Sequence, residues 1–152
     1  DASFYYGEIR FPSVAGISMG DVTYRVAAPA SWCERLRDTT WPEIAAQPWI
    51  IPPPISTHYQ LAHALLREHG VEPVRIFEAD QEAVVGSLVV SGVGIALMRE
   101  DVALEKEAAG EVCIWNGVRI TTPMWFIYLN EREGDPIIRA LLDAQEASWS
   151  AP

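Results

Sequence analysis

Short runs of aromatic and β-branched residues alternate along this chain with longer stretches whose apolar side chains recur every three or four positions. Ala2–Tyr6 and Val22–Ala28 have the first pattern and predict strands. Pro29 ends the second, and Ala30–Leu36 predicts a short helical turn. Trp41–Ala46 predicts another short helix, with Thr40 as its cap and Pro42 in its first turn. Pro48–Ile51 predicts a brief strand, stopped by Pro52, Pro53 and Pro54.

Helical spacing then takes over. In STHYQLAHALLREHG, Thr57 and Gln60 fit a capping box, with Ser56 as the competing cap, and Gly70 closes the helix. Val74–Glu78 predicts a strand. From Asp80, a good N-cap, Val84, Val85, Leu88 and Val89 recur one turn apart until Gly92, and Ile95–Met98 follows as a buried strand. Glu100–Ala109 predicts a helix stopped by Gly110. Val112–Trp115 and, after Pro123, Met124–Leu129 predict two further strands. Asp135–Trp149 has helical spacing through Ile138, Leu141, Leu142 and Gln145. Strands separated in this way by helices predict an α/β fold with a largely parallel sheet.

The glycines of SGVGIA resemble a phosphate-gripping loop, but the order of elements is wrong for one. A dinucleotide fingerprint has a strand, then glycines, then a helix whose free N–H groups meet the pyrophosphate. Here the glycines close a helix and open a strand. A third glycine and a following Gly-Lys-Ser/Thr are also missing, which argues against a nucleotide site.

Composition narrows the class further. Hydrophobic residues make up 49% of the 152, which places the chain among globular proteins, as one domain or two small lobes. No apolar run is long enough to span a bilayer, and the first residues lack the basic-then-apolar order of a signal peptide. DASFYYGEI reads as the middle of a strand and predicts an excised fragment. The formal net charge of −10 repels phosphate backbones, so these residues alone should not bind nucleic acid strongly. Cys33 and Cys113 lie far apart in sequence; a disulfide is open to them, but a reduced pair is the default.

The junction IIPPPISTHY is the strongest candidate for chemistry. Ligands in α/β sheets collect at the C-terminal ends of strands, where helix N-termini also point. Three prolines present rigid apolar faces, and the Ser56 and Thr57 hydroxyls with the following N–H groups suit a carboxylate or another small anion. The plainer reading is that these hydroxyls only cap the helix. Metal binding is weakly supported: His58, His63 and His69 are spaced by five and six residues, without HExxH or CxxC. His63 reads as a surface histidine and His69 as one in the last helical turn, favourable against the dipole. Nucleophilic catalysis is equally thin, since GxSxG is absent and Ser56, His58 and Asp80 would point in different directions. The carboxylates of GEI and MRED read as mostly solvated.

The order of segments, from DASFYYGEI through YRVAAPASW, PWIIPPPISTHYQLAHALLREHGVEP and EADQEAVVGSLVVSGVGIALMREDVA to MWFIYLNEREGDPIIRALL, resembles the effector-binding domain of LysR-type transcriptional regulators. That resemblance implies a two-lobed α/β fold like type II periplasmic binding proteins, with a small-molecule effector in the cleft. Crossover strands would lie near Tyr24–Ala28 and Thr121–Trp125. Residues 1–28 would then be part of lobe one and the first crossover, 29–121 a complete lobe two, and 122–152 the second crossover with the last strand and helix of lobe one. The ligand loop of the second lobe would fall on Pro52, Pro53, Pro54, Ser56 and Thr57, and Gly7 and Glu8 would approach from the other side. No cofactor, metal or catalytic residue is implied. The resemblance further implies a cytoplasmic homo-oligomer that reaches DNA only through a helix-turn-helix absent from these residues, and no membrane partner. A transporter's solute-binding protein and a dehydratase-like enzyme share the scaffold and stand as alternatives.

Overall fold

The computed structural model describes residues 2–149. The side chain of Gln145 and residues 150–152 of the last predicted segment lie outside the described residues. The chain divides into two compact units. One is continuous, Thr23–Thr121; the other is split, made from the residues up to Val22 and those from Thr122 onward.

The split unit begins with β1, Ala2–Tyr6. It shares two long strands with the continuous unit: β2, Val14–Pro29, and β6, Val112–Leu129. β1 pairs antiparallel with β6, from Ala2 opposite Tyr128 to Tyr6 opposite Met124. A 3-10 turn at Asn130–Arg132 leads to the closing helix Pro136–Trp149. Ile138 of that helix is buried with Met19, Met124, Phe126 and Tyr128.

Both long strands exceed the sequence expectation. β2 starts eight positions before Val22 and runs through Gly16 and Gly20. Val112–Trp115 and Met124–Leu129 belong to one strand, with Pro123 inside it. Proline cannot donate to a ladder. Pro123 lies just past the end of the β1–β6 register, where its carbonyl accepts from Gly7 N at 2.9 Å and β1 asks for no donor.

In the continuous unit, a 3-10 turn at Ala30–Trp32 runs into α1, Cys33–Leu36, and then α2, Trp41–Ala45, and β3, Pro48–Ile51. Next come α3, Thr57–Glu68, β4, Arg75–Glu78, α4, Glu82–Val90, β5, Ala96–Arg99, and α5, Glu100–Ala108; the helix of the split unit is α6. Thr40 caps α2 in a reciprocal capping box with Glu43, whose Oε2 accepts from Thr40 N at 2.7 Å. β3 and β4 pair in parallel, and Trp49 bridges in parallel to Ile95. β2 and β5, however, are antiparallel, with Tyr24 opposite Arg99. A largely parallel sheet is therefore the wrong description. Helical crossovers return β3, β4 and β5 in one direction, whereas the four-stranded sheet β1-β6-β2-β5 contains antiparallel ladders at both of its ends.

The core follows from this layering. Val85 and Val89 of α4, Ala103 of α5, Ile50 of β3 and Ala96 and Met98 of β5 bury together with Ala27 and Val112. Trp49 is fully buried, and its Nε1 donates to Ile44 O at 3.0 Å, so the ring leaves no orphaned polar atom. Gly92 ends α4 at a φ of +85°, in the left-handed region where a side chain is strained. The start of α4 differs from expectation: Gln81, not Asp80, is the N-cap. The Gln81 carbonyl accepts the first helical bond, from Val85 N at 2.9 Å, and Ala79 N is already held by Ile51 O.

Candidate functional site

The proline junction is built by the end of one buried strand and the start of one helix. β3 delivers Ile51, and Pro52 after it is also buried. Pro53 is half-buried, but Pro54 and Ile55 face outward, with Ile55 94% exposed. The prolines thus form a turn rather than a continuous wall. Ser56 N donates to Pro53 O at 2.9 Å, closing that turn.

Ser56 rather than Thr57 is the N-cap of α3. Its backbone is extended, and its Oγ accepts from His58 N at 3.2 Å. The capping box foreseen between Thr57 and Gln60 does not form, because Thr57 is already the first helical residue. Gln60 instead reaches back to Pro54 O at 3.5 Å. Ser56 and Thr57 are both half-buried at the positive end of a helix twelve residues long. That arrangement suits a partner carrying negative charge and hydrogen-bond acceptors.

His58 is the feature the sequence reading undervalued. Its ring sits 4.9 Å from that of Tyr24 on β2. Burial holds its pKa below the ordinary histidine value, with a hydrogen bond to the Leu97 backbone working the other way. A neutral, packed imidazole therefore fixes the first turn of α3 against β2 and β5. No residue spacing announces this, since Tyr24 and Leu97 are distant in sequence.

The other candidates separate. His63 lies against Tyr59 at 4.1 Å and His69 stacks on Trp41 at 3.8 Å, so each histidine has its own aromatic neighbour. Among the described residues, no three metal-ligating side chains come together. His63 is half-buried, with Nε2 enclosed, and is not the surface residue expected. Of the MRED carboxylates, Glu100 is gripped by Arg25 and Arg119, each at 2.9 Å, and is not simply solvated. The Arg25 hydrogen bond above all keeps its pKa below the usual carboxylate value, so it has no proton to give near neutrality. Gly7 and Glu8 belong to the split unit. Gly7 follows β1 with a φ of +104°, and Glu8 is exposed and paired with Arg10 at 2.9 Å.

The sequence model of the LysR substrate binding domain matches residues 1–149. The chain belongs to that family. It is an effector-sensing domain of the LysR type, with the two-lobed α/β fold that resembles periplasmic binding proteins. No curated protein sequence matches it. Solved structures do. The apo regulatory domain of HypT from Salmonella typhimurium superposes with a TM-score of 0.76 at 14% identity, covering 100% of this chain and 74% of that one. The CcmR regulatory domain of Synechocystis PCC6803, in complex with 2-PG, gives 0.76 at 16% identity, with 99% and 74% covered. Full-length LysG from Corynebacterium glutamicum, with Arg bound as effector, gives 0.74 at 19%, with 98% and 51% covered. At these identities the likeness establishes the fold. The chain spans about half the length of that full-length regulator. Among the described residues no helix is long and apolar enough to cross a membrane.

Proposed function

We propose that this LysR domain senses a small organic anion held at the Pro52–Thr57 junction, with Ser56 and Thr57 as its hydrogen-bonding residues. The observation that carries this reading is the family match across residues 1–149, joined to a helix start whose two hydroxyl residues are half-buried beside a rigid turn. Structures of LysG and CcmR carry the small molecules Arg and 2-PG, which supports a small-molecule role for the fold. This reading assigns the domain no catalytic role: Glu100 of MRED is held by two arginines rather than poised for proton transfer. Its output would be transcriptional, through a DNA-binding domain in a cytoplasmic homo-oligomer, because a net charge of −10 opposes direct contact of these residues with phosphates.

The test is a ligand screen followed by two substitutions. Small carboxylates and phosphorylated acids are screened by thermal shift, and the affinity of the best is measured calorimetrically. Ser56→Ala and Thr57→Ala should each lose about 1–3 kcal/mol of affinity, the scale of a hydrogen bond to a charged group. Full affinity in both variants would remove the junction from the site.

A further inference from the structure

The sequence left a disulfide between Cys33 and Cys113 open, with a reduced pair as the default. In the continuous unit both line one recess. Cys33 opens α1 just after β2 has ended at Pro29, and Cys113 is the second residue of β6. The two segments are tied by Ala30 N donating to Glu111 O at 3.4 Å, and the Cys113 thiol donates to Pro29 O at 3.7 Å. Both sulfurs are free and half-buried on the wall of one recess of about 210 Å³, which Arg37 and Asn116 also line.

We propose that Cys33 and Cys113 are a reversible dithiol–disulfide pair, oxidised by a small hydroperoxide that enters this recess. The recess exceeds the share of several water molecules, at roughly 30 Å³ each, so a molecule of hydrogen peroxide fits. Disulfides in reducing compartments are mostly transient or sensory, which is the kind a half-buried pair with its own entry recess would make.

The two sulfurs are not equivalent. Burial first, then the hydrogen bond and charge of Cys33 and the charge of Glu107, push the Cys113 thiol up to about 12. Cys113 therefore keeps its proton, and Cys33 is the attacking sulfur. Its thiolate takes the distal peroxide oxygen: an S–O bond forms, the O–O bond breaks, and the departing hydroxide leaves as water with a proton from solvent. Cys33 is then a neutral sulfenic acid, so its charge no longer holds the Cys113 proton in place. The Cys113 sulfur attacks Cys33, the S–S bond forms and the S–O bond breaks. The Cys113 proton goes with the second hydroxide as water. Two thiols have lost two electrons and one peroxide has gained them.

The folded 152-residue chain, reduced and freed of reductant, is treated with one equivalent of hydrogen peroxide and its peptides are mapped without reduction. A Cys33–Cys113 cross-linked peptide within a monomer, with the intact mass lower by two hydrogens and recovery by dithiothreitol, is the expected result. Cys113→Ser should stop at a dimedone-trappable sulfenic acid on Cys33, and Cys33→Ser should consume peroxide at least about tenfold more slowly. A disulfide joining two chains would overturn the pairing. So would two thiols still open to alkylation in the treated folded chain, when the unfolded chain oxidises under the same conditions.

Discussion

The two units reach different depths of burial with the same kinds of residue. In the continuous unit β3 and β5 are each followed by a helix, and Trp49, Ile44, Val26, Val89 and Ile95 are all excluded from solvent, whereas the edge strand β4 stays exposed. The split unit has one long helix, α6, against its strands. β1 stands at the end of the sheet, with Phe4 exposed and a shallow apolar recess beside Ala2 and Leu129. On α6, Ile138 is buried while Ile137 is 66% exposed and Leu141 is exposed too. Apolar content alone does not make a deep core. The number of layers covering each strand does.

The largest effect should come from Trp49→Ala. The change removes a fully buried ring and one of the hydrogen bonds to Ile44 O, which keeps that from Gln47 N, so it should cost about 3–5 kcal/mol in urea unfolding. Ile137→Ala in the split unit should stay within about 0.5 kcal/mol. Equal losses would break the comparison. A smaller contrast lies in the glycines. A Cβ on Gly94 would stand 2.6 Å from Pro48 O, against a carbonyl that accepts from Ile95 N, whereas one on Gly134 would meet nothing within 4 Å. Gly94→Ala should therefore cost about 1–3 kcal/mol by the same assay, and Gly134→Ala should be nearly silent.

Acid should produce the mildest difference, and it should reach the continuous unit first. The His58 pKa is lowered by burial, so its stabilising contribution is whole above the ordinary value of 6.5 and is lost as the pH falls below it, through the lowered folded value. Asp135 of the split unit is also held below its ordinary value, first by the hydrogen bond from Arg132, and its contribution is lost only as the pH falls below 3.8. Stability measured between about pH 7 and 5 should decline in the native chain and flatten in His58→Phe. An unchanged slope in that variant would assign the decline elsewhere.

These contrasts also explain what was readable in the residues. Elements bounded by strong local signals were legible: the Thr40 cap with Pro42, the helix ending at Gly92, and the strand stopped before Pro52. Register and partner choice were not. Whether β5 runs against β2 depends on contacts between Arg25 and Met98, which no local pattern encodes. Pro123 read as a break because a proline's effect depends on whether a neighbour needs its N–H, and that neighbour is supplied by the fold. At the candidate site, the helix start and the competing Ser56 cap were legible, while His58 against Tyr24 and Glu100 between two arginines were not. Each of those joins side chains brought together only by the topology.

The split in sequence has a consequence for the order of folding. Every β1–β6 pair joins residues more than a hundred positions apart, so β1 cannot pair until β6 has been made. Closing so long a loop directly is slow. A continuous unit that folds first would remove most of that loop. Once Thr23 and Thr121 are fastened, their hydroxyls 3.1 Å apart, the two arms that leave them emerge side by side. The search that remains is between two short neighbouring segments, so a pairing that is remote in sequence becomes local in space.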